Sequence, residues 1–179
     1  LLGWIVWQPG TMALPRLVAE GLLMSLALGC AEELLFRGWL LTELQRDYKS
    51  GVAILINAGI FAAVHFLRPL DQLIRMLPAF PSLFLLGWTL GWAKGSRGSR
   101  YGREQWGRLG LPIGLHAGLV WGYYIVNVGN LVRYTDQVPV WITGIDRNPL
   151  AGLAGFLFLS LLAGGVWKFT QTQSGRSLR

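Results

Sequence analysis

The chain has 179 residues, of which 53% are hydrophobic and only 14% charged, about half the charged share of a soluble domain. With a mean hydropathy of +0.43, that balance excludes a soluble globular enzyme and a disordered tail. The net charge of +7 sits in short stretches between apolar runs, which reads as membrane topology and anionic-lipid contact and excludes a nucleic-acid-binding domain.

A spanning helix needs about 20 mostly apolar residues, and five stretches qualify as candidates. Segment A runs over about 14–41, interrupted by Glu20, Glu32, Glu33 and Arg37; B covers about 51–67; C about 77–93; D about 111–128; and E about 150–169. The 24 glycines suit close helix contacts in lipid. The apolar stub 1–7 reads as the end of a preceding membrane segment, so the chain is expected to be part of a longer protein. The expected fold is all-α, a multi-pass transmembrane bundle of about five or more helices, with residues 1–179 forming a single integral-membrane domain. Residues 129–149 form a loop, within which Val138 to Ile142 is rich in strand formers.

Charge orients the bundle. The A–B loop (Arg46, Lys49), the C–D loop (Lys94, Arg97, Arg100, Arg103, Arg108) and the tail (Lys168, Arg176, Arg179) share one side. The positive-inside rule places that side in the cytoplasm, with loop 94–108 on anionic lipid. Trp4, Trp7, Trp88, Trp92 and Trp106 lie near segment ends, as interfacial anchors do. The lone Cys30 excludes an intramolecular disulfide framework and a cysteine zinc site.

Ionisable groups inside membrane segments are costly and face the protein interior. The only two histidines, His65 and His116, both fall in such segments. On a helix Glu33 and Arg37 share a face, whereas Glu32 points elsewhere. Glu33 with Arg37 therefore reads as a structural brace and Glu32 as the chemical group. Phe61 and His65 are also four apart, so ring and imidazole pack together. Two imidazoles and a carboxylate form a ligand set for zinc with an open position for water; the same three groups without metal also activate water. Depth is a constraint. Glu32 lies past the middle of A, His116 near the start of D and His65 at the far end of B, so a shared site requires different helix ends or strong tilt.

The ordered set Glu32-Glu33-x-x-x-Arg37, Phe61-x-x-x-His65 and His116 resembles the CPBP family, the CAAX proteases and bacteriocin-processing enzymes also called Abi, over about residues 29–125. The resemblance implies a multi-helix intramembrane endopeptidase acting on a peptide or protein substrate. Glu32, His65 and His116 are then catalytic, Glu33, Arg37 and Phe61 support them, and zinc on Glu32, His65 and His116 is the cofactor implied. Val120 stands where the family pattern has Asn, an expected oxyanion donor worth about 10²–10³ in rate; Asn57 and Trp121 are alternative donors, and Asn127 is about 16 Å along the helix from His116. A non-catalytic scaffold or bacteriocin self-immunity protein of the same fold is the competing reading. A transporter would need an inverted repeat, and none is visible.

Overall fold

The computed structural model describes residues 3–8, 13–67, 69–95 and 109–176, without the side chains of 173–176. Its first helical rod is α1 (Leu14–Glu33), a π-helical segment (Leu34–Leu40) and α2 (Leu41–Asp47). Then come α3 (Ser50–Val64), α4 (Leu70–Met76), α5 (Phe80–Lys94), α6 (Gly110–Tyr123) running into a second π turn (Tyr124–Val128), α7 (Val140–Thr143) and α8 (Leu153–Arg176). Among the described residues four stretches are long and apolar enough to cross a bilayer: Leu14–Asp47, Leu70–Lys94, Gly110–Val128 and Leu153–Thr172. The protein is an all-α, multi-pass integral-membrane bundle. Segment B is too short to count as a fifth span; α3 has 15 residues, about 22 Å at 1.5 Å each.

Sequence explains the helix ends. Pro15 opens α1 and Pro81 opens α5, where a missing N–H costs nothing. Gly95, at φ 93°, ends α5. Pro78 breaks the helix without ending the apolar run, so α4 and α5 join through a 3₁₀ turn (Leu77–Ala79) and segment C reaches back to Leu70.

Two local expectations are corrected. Val140–Thr143 is helical, started by Pro139, and the strand of this region is β2 (Val132–Tyr134). Its partner is β1 (Ile5–Trp7), antiparallel with Ile5 opposite Tyr134 and Trp7 opposite Val132. Residues Ile5–Trp7 of the stub are thus a strand, not part of a membrane segment. The strand pair was not legible because β1 finds its partner 125–129 residues away. Trp88 and Trp92 are also not free anchors: they pack at 5.1 Å on each other and against the core of Leu41, Ala53 and Ile54.

α1 packs against α6, α3 against α5, and α5 against α8. The main core holds Phe36, Phe61, Ala62, Leu83, Leu86, Leu90 and Leu159. The outward faces remain apolar, with Leu23, Met24 and Leu161 exposed, as lipid contact requires. Glycines permit the close approaches: a Cβ on Gly29 would lie 3.1 Å from the Ala117 Cβ and 3.2 Å from its backbone nitrogen. Gly29→Leu is therefore expected to push α1 from α6 and cost about 1–3 kcal/mol in detergent unfolding. Gly59→Ala, with nothing within 4 Å, should leave the same transition unmoved.

Candidate active site

Leu17, Gly21, Ser25, Gly29 and Glu33 recur every four residues and form the buried stripe of α1. α6 lies along it antiparallel: the Trp121 indole N–H donates to Val18 O at 3.0 Å, Ala117 meets Gly29, and His116 reaches Glu33. This register carries His116 to the level of the Glu-Glu pair.

Glu33 and Arg37 are both fully buried. Arg37 Nη1 donates to Glu33 Oε1 at 2.9 Å, Nη2 donates to Gly87 O on α5 at 2.9 Å, and the guanidinium lies 4.5 Å from the Phe61 ring centre. Glu33 Oε1 also lies 2.8 Å from His116 Nδ1. Glu33 is thus more than a helix-internal brace, because it orients an imidazole from another helix. Sequence spacing finds the 33–37 pair; the 33–116 contact is tertiary and leaves no mark in spacing.

Glu32 points to the other ring nitrogen, its Oε2 standing 3.7 Å from His116 Nε2. That is too long for a hydrogen bond. The Glu32 side chain retains 23% of its exposure, yet Oε2 itself is buried and has no hydrogen-bond partner among the described residues. A carboxylate accepts only, so the 2.8 Å contact to Glu33 places a proton on Nδ1, and in the neutral imidazole Nε2 is then an acceptor. The two atoms face one another at 3.7 Å, and a proton donor bonding to both would sit beside the line between them.

His65 caps α3, with Nδ1 2.7 Å from Phe61 O. A carbonyl accepts, so Nδ1 carries a proton, and in the neutral ring Nε2 is an acceptor. Phe61 links the two imidazoles, its ring centre 4.6 Å from His65 and 5.9 Å from His116. The depth constraint is met by helix length. Glu32 lies fifteen residues before Asp47 and His65 fifteen after Ser50, so both stand about 22 Å from the same turn. Segment B as a complete span predicts His65 at the far side; α3 ends at Val64, with His65 as its C-cap.

Among the described residues no group of three or more His, Cys, Asp or Glu side chains is placed to hold a metal ion. His116 Nε2 and Glu32 Oε2 offer two donors where a catalytic zinc takes three, so the donor set as arranged does not fit zinc. The alternative oxyanion donors are engaged elsewhere: Asn57 Nδ2 donates to Phe36 O at 2.8 Å and the Trp121 indole to Val18 O at 3.0 Å; Asn127, too far along the helix to substitute, donates to Tyr123 O at 3.2 Å. Val120 is half-buried on α6.

Lys94 corrects the reading of the basic loop. It is 5% exposed, inside the bundle, with its ammonium donating to Arg37 O and, at 2.8 Å, to Thr42 Oγ1. Loop residues 96–108, with Trp106, lie outside the described residues.

The bundle brings together the buried Glu33–Arg37 pair, Glu32 and His116, with His65 joined to them through the Phe61 ring. Among protein families, residues 14–133, 120 of the chain's 179, match the Rce1-like family, described as type II CAAX prenyl endopeptidase Rce1-like. The chain belongs to that family, whose description implies a protease. No curated protein and no solved structure matches the chain.

Proposed function

We propose that the protein is an intramembrane endopeptidase of CAAX-protease type, hydrolysing a peptide bond of a prenylated or otherwise membrane-associated protein with water activated by Glu32 and His116. The observation that carries this is the 3.7 Å gap between Glu32 Oε2 and His116 Nε2, two acceptors held apart by a buried scaffold. A water donating to both is polarised from two sides. Glu32 takes its proton as the oxygen attacks the scissile carbonyl, and that proton passes to the leaving amine as the C–N bond breaks. Glu33 holds His116 in the tautomer that accepts at Nε2, as a second carboxylate does for many catalytic imidazoles. His65, whose Nε2 accepts in the neutral ring, completes the polar wall, and Phe61 spaces the two rings.

The same proposal puts loop 94–108 and the C-terminus in the cytoplasm, with the basic residues of the loop beyond the buried Lys94 on anionic lipid. Val120, together with the engaged Asn57 and Trp121 donors, favours a second reading, a non-catalytic scaffold or immunity protein of the same fold. Purified protein and a prenylated CAAX peptide separate the two. The protease reading expects cleavage that Glu32→Ala abolishes while the unfolding transition stays in place. Cleavage that persists in Glu32→Ala, or no cleavage by folded wild-type protein, would overturn it. Chelation should leave the rate unchanged; a rate lost to chelator and restored by zinc would mean that a third donor closes on the metal.

A further inference from the structure

The π-helical segment that follows Glu33 has an unusual set of partners. Phe36 O accepts from the Asn57 amide of α3 at 2.8 Å and also from the Leu41 backbone N–H five residues on. Arg37 O accepts from Lys94 of α5. Gly38 O accepts from Thr42 Oγ1 at 2.6 Å, and that hydroxyl in turn accepts from Lys94 Nζ at 2.8 Å. Three consecutive carbonyls thus each take a side-chain donor, and two of the donors come from neighbouring helices. A π segment is the less stable local form and occurs mostly where function requires it. In lipid its displaced carbonyls must find partners inside the protein. Lys94 is 5% exposed and Asn57 fully buried, and both partners of the ammonium are neutral oxygens. Placing a cation there is costly, and its contacts serve one end: the turn that begins one residue after the Glu32–Glu33 pair.

We propose that Lys94 is a positioning residue: by gripping Arg37 O and Thr42 Oγ1 from α5 it fixes the π turn, and so holds Arg37, which lies inside that turn, against Glu33, the carboxylate that orients His116. If the turn relaxed to α-helical winding, Arg37 and the residues after it would rotate relative to α1, and Arg37 would turn away from Glu33 and Gly87. The catalytic half of this inference rests on the protease reading; the structural half does not.

Lys94→Met keeps the length of the side chain and removes the donors, and Lys94→Arg restores donors. Hydrogen exchange in detergent is expected to speed up about tenfold across residues 34–43 in Lys94→Met, with α8 unchanged as control, since local opening tracks the lost contacts. On a prenylated peptide kcat should fall about tenfold or more with KM within about twofold, the pattern of a lost transition-state alignment. Lys94→Arg should recover both in part. Thr42→Val, an isosteric change that severs the Thr42 links alone, carries the same readouts if Lys94→Met does not accumulate. Exchange across 34–43 that stays within about twofold of wild type would overturn the grip. Faster exchange with an unchanged kcat would overturn the positioning role. A wild-type protein without peptidase activity would instead remove the protease reading, and exchange would still decide the grip.

Discussion

Glu33→Ala is expected to cost about 3–5 kcal/mol of stability, the range for stripping one partner from a buried ion pair, and to abolish activity with it. Neither Glu33 nor Arg37 has any side-chain exposure, and their 2.9 Å contact is backed by the Gly87 carbonyl and the Phe61 ring. The carbonyl and the ring each attract a guanidinium but carry no net charge. Without Glu33 the buried cation loses its directly bonded carboxylate and keeps only the weaker attraction of Glu32, and His116 Nδ1 loses its acceptor at the same time. Glu33→Gln should be milder, because an amide oxygen still accepts from Arg37 while the charge is lost. The double variant Glu33→Gln/Arg37→Met should be less destabilised than the sum of the single changes, because it removes both charges together. Detergent unfolding of the four proteins checks this. Glu33→Ala within about 1 kcal/mol of wild type, the worth of an exposed pair, would mean that water reaches the pair and that the helix packing around it is looser than described.

Legibility in the sequence followed the range of the contacts. The 33–37 pair and the Phe61–His65 stack lie within one helical turn, so spacing alone exposed both. The membrane bundle followed from apolar runs that approach or reach the thickness of a bilayer. Contacts made between helices were hidden. His116 on Glu33 depends on the antiparallel register of α1 and α6, which small residues such as Gly29 and Ala117 permit but do not announce. Lys94 looked like the first residue of a basic loop, because the acceptors that bury it belong to a π turn more than 50 residues earlier. A seven-residue π segment has no hydrophobic period that a pattern search would catch. His65 was misplaced in depth for a related reason: an apolar run of 17 residues (51–67) passes for a span, whereas α3 stops at Val64 and leaves its C-cap histidine at the level of Glu32.

His116→Ala is expected to lower kcat by about 10²–10⁴, the usual worth of a positioned acid–base group, while costing far less stability than Glu33→Ala. The reason is the order of dependence in the site. Glu33 retains Arg37 as partner when His116 is removed, so the buried pair stays balanced and only one hydrogen bond, at about 1.5–3 kcal/mol for a charged acceptor, is given up. What is lost is the acceptor opposite Glu32. A water held by Glu32 alone has one polarising group and no fixed direction toward the substrate carbonyl. KM should therefore move little, since the imidazole is assigned to the water and not to the peptide. His65→Ala provides the contrast. Its Nδ1 is tied to the carbonyl of its own helix and no carboxylate orients it, so its removal should slow the reaction less than loss of His116. Equal losses from the two histidines would place both on the reacting atoms and move the centre of the site toward Phe61. A His116→Ala protein as unstable as Glu33→Ala would show instead that the imidazole is part of the buried charge balance and that its role is structural.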